Sequence, residues 1–207
     1  MRKFLLGAIA RATTRLAALT CVAVFASAGV AAAAPCPSQS SVTPFAQWGD
    51  TSSYFLAPGG SFEGPASSLG WTLDNAGLTA ATEPFDVGVG SNAQSLTIGA
   101  GGSATSASLC LDNTMPYFQF FARQVTPGSD LKVQLTIGHS NSHAWAITVA
   151  DLPDGSMPNW APTGRMFLVS GKLPAGLSIN AALRFAVPGA AGTWQIDDVY
   201  VDPYRSS

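Results

Sequence analysis

The sequence predicts an all-β protein, a β-sandwich of about ten strands stapled by one disulfide. Three observations carry this. Beyond residue 33, apolar residues recur in short or alternating runs rather than at the 3.6-residue period of a helix. Clusters of Gly, Pro, Asn and Asp punctuate those runs at close spacing, as turns do between strands. Only 11% of the 207 residues are charged, against 21 glycines and 14 prolines, the balance of a secreted all-β domain.

The strands follow in order: "YFLA" (54–57), "GWTL" (70–73), "QSLTI" (94–98), "SATSASLC" (103–110), "YFQFFAR" (117–123), "LKVQLTI" (131–137), "AWAITVA" (144–150), "GRMFLVS" (164–170), "AALRFAV" (181–187) and "TWQIDDVYV" (193–201). Alternation exposes the inner face of several. Leu131, Val133, Leu135 and Ile137 oppose Lys132, Gln134 and Thr136, and Leu183, Phe185 and Val187 oppose Arg184. "GHSNSH" reads as a hairpin tip carrying His139 and His143. The Pro-rich "DLPDGSMPNWAPTG" (151–164) reads as a long surface loop. Trp160 on that loop is either a plug over the core or a ligand contact.

The first 33 residues read as a cleaved secretory signal peptide: Arg2, Lys3, Arg11 and Arg15 head the apolar run "LAALTCVAVFASAGVAAAA". Ala31-Ala32-Ala33 fits the small-x-small rule and places the mature start at Ala34. The residue before Cys21 is Thr, which argues against a lipid anchor. The remaining 34–207 form one domain with 6 basic and 12 acidic residues, a charge that repels nucleic acid. Cys36 and Cys110 survive processing and pair most simply as a disulfide in an oxidising compartment. The alternative, two free thiols ligating a metal, lacks neighbouring Cys or His.

The closing stretch "GTWQIDDVYVDPY" sets Asp197 and Asp198 side by side within an apolar strand. With "GGSFEGPASSLGWTL" and "SLTI" it resembles the galactose-binding-like jelly rolls of carbohydrate-binding modules, and small secreted proteins of high-GC (actinobacterial-type) bacteria. The resemblance spans most of residues 45–202, with its specific motifs at the two ends. It implies a structural Ca²⁺ held by Glu63 and Asp197. Glu83 is the best third carboxylate, since calcium takes six to eight hard oxygens. Strand parity turns Asp197 inward with Val199 and Val201, and Asp198 outward. The other reading leaves Asp197 accepting backbone hydrogen bonds and Asp198 solvated.

Catalytic constellations are sparse. No Gly-x-Ser-x-Gly elbow occurs, because Glu63 replaces the second glycine of "GGSFEG". No pair among Asp50, Asp74, Asp86, Asp112 and Asp154 is singled out for glycoside hydrolysis. A sugar-binding face needs rings for stacking with amides and guanidiniums for hydroxyls. Tyr117, Gln119 and Arg123 share a strand face, and Gln134, Arg184 and Trp194 are their candidate companions. The reading is a secreted, monomeric, non-catalytic binding module for extracellular or cell-wall carbohydrate. An envelope protein making protein contacts, or a secreted hydrolase, are the alternatives.

Overall fold

The structure is a computed structural model describing residues 36–85, 87, 92–138 and 145–203. The leader with Cys21, the start at Ala34, Asp86, and the His139/His143 hairpin tip lie outside the described residues. Eleven strands are described: β1 Phe55–Leu56, β2 Thr72–Thr79, β3 Ser95–Thr105, β4 Leu109–Asp112, β5 Tyr117–Thr126 and β6 Leu131–Ile137. β7 Trp145–Leu152, β8 Ala161–Pro162, β9 Met166–Phe167, β10 Ser178–Ala186 and β11 Thr193–Asp202 complete the set. No helix among the described residues is long and apolar enough to cross a membrane.

All pairings are antiparallel, along the order β7-β6-β10-β3-β11-β5-β8. The sequence places strand β6 at the residues where it forms. It also divides β3 into two runs, 94–98 and 103–110, whereas one bent strand covers residues 95–105. The bend is the corner of the sandwich. Leu96 and Ile98 pair with Ile196 and Trp194 of β11, while Ala104 pairs with Phe185 of β10. β2 bends with it at Asn75, a bulge with φ of 43° whose side-chain amide donates to Ala100 O at 2.9 Å. Gly102 permits the close approach: a Cβ there would sit 2.6 Å from Asn75 O. Strands that change sheets through a bulge make such corners.

The curled sheet closes over one core. Phe120 of β5 meets Phe185 of β10 edge-on at 5.1 Å although two strands separate them in the sheet order. Trp71 stacks on Phe185 at 5.9 Å and Trp194 is fully buried. A second cluster lies outside the sheet, where Phe45, Tyr54, Val87, Phe121 and Tyr200 pack under Phe85 and Trp160. It is a covering layer on the outer face of β5 and β11. Cys36 and Cys110 form the disulfide, tying the N-terminal segment to β4.

Replacing Cys110 by Ser is expected to cost about 2–5 kcal/mol in equilibrium urea unfolding. Gly102→Ala should destabilise by about 1–3 kcal/mol through overpacking. Gly77→Ala, which meets nothing within 4 Å, should stay within about 0.5 kcal/mol.

Candidate functional site

The backbone of β11 decides where its acids go. Asp197 pairs with Phe121 and Tyr200 with Gln119, so β11 carries one residue more than β5 across this interval. Asp198 takes φ of 45° to make the bulge. Trp194 and Ile196 are core residues before it, Val199 and Val201 after it, so strand parity reverses. This corrects the simple alternation that set Asp197 with Val199 and Asp198 towards solvent. Asp197 lies on the outer face with Gln195 and Phe121, and Asp198 is only 1% exposed. The bulged backbone is held by the opening loop: Ala57 N–H donates to Val199 O, and Val199 N–H to Gly60 O. The two ends of the chain that carry the resemblance thus meet at the bulge.

Segment 82–85 and Asn92 cover the acids. Asp197 Oδ2 accepts from the Thr82 hydroxyl at 3.0 Å and Oδ1 from the Asp198 N–H at 2.9 Å. Glu83, fully buried, accepts from Asn92 Nδ2 at 2.8 Å and from the Phe85 N–H. Glu63 Oε1 caps the Ala93 and Gln94 amides at 2.6 and 2.9 Å. Burial, then repulsion from Asp198, pushes Asp197 up to about 8. Burial, then the charges of Glu83 and Glu63, pushes Asp198 up to about 7. Asp198 Oδ2 and the Tyr200 hydroxyl are buried with no hydrogen-bond partner among the described residues.

These carboxylates fit calcium in chemistry: hard oxygens, crowded charge and an orphaned buried oxygen. Their described arrangement is not a preformed cage, since no three such groups among the described residues are grouped to hold a metal ion.

A polar row crosses the same outer face beside the acids. Arg123 Nε donates to Gln195 Oε1 at 2.6 Å, Gln195 Nε2 to Thr97 Oγ1 at 2.9 Å, and Thr97 meets Thr79 at 2.7 Å. The row spans four strands, about 14 Å at ordinary interstrand spacing. Its far end opens into a shallow groove of about 500 Å³ over Gly77, Thr79, Thr97, Gly99 and Thr193. At its near end the Arg123 guanidinium lies 5.1 Å from the Trp160 ring. Trp160 therefore packs on the outer aromatic layer and also flanks the row.

The structure divides the six predicted ligand residues. Tyr117, Gln119 and Arg123 do share the outer face of β5, but Gln119 is buried, donating to Asp50 and Tyr54. Gln134 and Arg184 bond each other at 2.9 Å on the outer face of the opposite layer. Trp194 lies in the core between the layers, its Nε1 donating to Ser129 O, and cannot stack on a ligand. The candidate catalytic acids are scattered: Asp112 binds Thr114, Asp154 binds Gln124 and Gly128, and Asp50 binds Arg165. Thr97 and Gln195 of the row escaped the sequence reading, although alternation within "SLTI" and "TWQI" marks both as outward.

No protein-family model matches the chain, and no curated protein matches it in sequence. Among solved structures it is similar to the CBM22-1 xylan-binding domain of Paenibacillus barcinonensis Xyn10C. That match has 16% identity over 71% of this chain and 93% of that one, with a TM-score of 0.46. A xylan-binding domain from CBM 22 matches at 13% identity over 76% and 99%, TM-score 0.48. The family 11 carbohydrate-binding module of Clostridium thermocellum Lic26A-Cel5E matches at 14% over 72% and 94%, TM-score 0.42.

Asp50 generates a pH prediction. The Arg165 fork, with Nε at 2.9 Å and Nη2 at 2.5 Å, holds its carboxyl well below the ordinary value of 3.8. The folded state therefore binds fewer protons than the unfolded one, and this stabilisation is present above 3.8 and lost as the pH falls. Arg165→Ala should cost about 1 kcal/mol at neutral pH. In acid titrations followed by unfolding, the variant should lose less stability than the parent below about pH 4.

Proposed function

We propose that this protein is a secreted, non-catalytic carbohydrate-binding module whose glycan lies along the groove and polar row of the outer β5–β11–β3–β2 face. The carrying observation is the chain Arg123–Gln195–Thr97–Thr79 beside Trp160. Sugar recognition needs donors and acceptors fixed in direction with a ring alongside. Here Gln195, itself buried, fixes the guanidinium and a threonine hydroxyl from neighbouring strands. Gly77, where a Cβ would meet nothing within 4 Å, leaves room for a chain molecule to approach the backbone.

Calcium belongs to this reading as a structural ion drawn from Glu63, Glu83 and Asp197, with Asp198 supplying its orphaned oxygen. Bound there, it would offset the mutual repulsion of the acids and fasten the opening loop to the bulge. A second reading, protein contact at the envelope, is favoured by Trp145. That residue is 74% exposed beside Ile147 on β7, the outermost strand of its layer.

Affinity electrophoresis of the purified protein against soluble plant, fungal and bacterial polysaccharides tests the first reading. Retention by one polymer should weaken roughly tenfold on changing Arg123 or Trp160 to Ala. No retention, or retention indifferent to both changes, removes the groove as a glycan site. For calcium, the melting temperature should rise by about 5–10 °C in saturating ion relative to chelator. An unchanged melting curve rules the ion out.

A further inference from the structure

A second concavity lies at the opposite end of β11. Thr193 borders the groove described above, and Asp202, nine residues on, lines a cavity of about 680 Å³. At the ordinary rise per residue the two are roughly 25–30 Å apart. The cavity sits beneath the N-terminal strap from Cys36 to Ser41, which the disulfide ties to β4. Its size is within the range of about 300–1,000 Å³ typical of small-molecule sites.

The lining is chemically one-sided. It presents hydroxyls from Ser52, Ser53 and Thr114 and the carboxyls of Asp112 and Asp202, and it contains no Lys, Arg or His. The two acids are in different states. Asp112 Oδ1 is already engaged by the N–H and hydroxyl of Thr114 at 2.8 and 2.6 Å. Asp202 is 2% exposed, and its Oδ2 has no hydrogen-bond partner among the described residues. Arg165 is near enough for its charge to act on Asp202, yet its Nε and Nη2 donate to Asp50 and Ser52, and none of its described hydrogen bonds reaches Asp202. A buried carboxyl oxygen left unpaired is costly, and a bound donor would recover that cost.

We infer that this cavity is a binding site for an amino sugar, with Asp202 taking the ammonium group and the serine and threonine hydroxyls taking the ring hydroxyls. The ammonium supplies the hydrogen-bond donor that Asp202 Oδ2 lacks, and its charge suits a wall without Lys, Arg or His. The hydroxylated body matches a wall that can donate and accept in turn. Phe55 and Met115 supply an apolar patch for a sugar face. This site is separate from the proposed glycan groove and does not depend on it.

The experiment is a titration of ¹⁵N-labelled protein with glucosamine hydrochloride near neutral pH, following backbone amide resonances. Saturable shifts of Ser52, Ser53 and Thr114 are expected. Glucose and N-acetylglucosamine, which lack the ammonium, should bind at least roughly tenfold more weakly. Asp202→Asn keeps the shape, should fold with unchanged or raised stability, and should abolish the glucosamine shifts. If that variant fails to fold, Ser53→Trp, which adds bulk to the wall, should block the same shifts. Equal response to glucose and glucosamine, no response at all, or undiminished binding after these changes overturns the proposal. An N-blocked lysine amide binding as tightly as glucosamine overturns the sugar assignment.

Discussion

The bulge in β11 governs the arrangement of the whole outer face. One added residue, with Asp198 in the left-handed region, reverses the phase of the strand that pairs with β1, β3 and β5. Without it, Tyr200 and Asp202 would point into the core and Val199 and Val201 out of it. Asp197 helps fix the bulge by accepting the Asp198 N–H, and the loop at Ala57–Gly60 captures both backbone groups of Val199. A Cβ on Gly60 would sit 3.0 Å from Val199 O, so close approach restricts that position.

Burial of the acids follows from this geometry rather than opposing it. The bulge swings Asp198 under the same cover as Asp197, and Thr82, Glu83 and Asn92 close over them. Desolvation and crowding then favour the protonated forms. A fold stabilised by apolar burial on one face of β11 therefore carries a destabilised polar cluster on the other. Such local conflict is where function concentrates in otherwise consistent structures.

The strand also separates the two concave sites. At its start, glycines and threonines leave a shallow groove, with Arg123 and Trp160 at the other end of the polar row. At its end, the disulfide-held strap borders a larger cavity lined by Asp112 and Asp202. Between them the aromatic layer of Phe45, Tyr54, Phe121 and Tyr200 occludes the sheet. The face therefore carries two distinct concavities, one shallow and lined by glycine and threonine, the other lined by hydroxyls and carboxyls.

Local pattern determined the class of this protein. Alternation in "LKVQLTI" and "AALRFAV", punctuation by Gly and Pro, and two cysteines beyond residue 33 were enough for an all-β sandwich with a Cys36–Cys110 bridge. These features act through neighbours in sequence or through simple pairing. Tertiary structure decided which residues share a surface. Parity along a strand is legible only while the ladder is regular, and the extra residue at Asp198 has no signature of its own in "WQIDDVYV". Gln134 and Arg184 belong to one layer and Arg123 to the other because β3 turns a corner at Gly99–Gly102, which the sequence displays only as a glycine-rich run between two apparent strands. Side-chain direction survives as a local property; the meeting of faces depends on bends and closures that only the folded chain supplies.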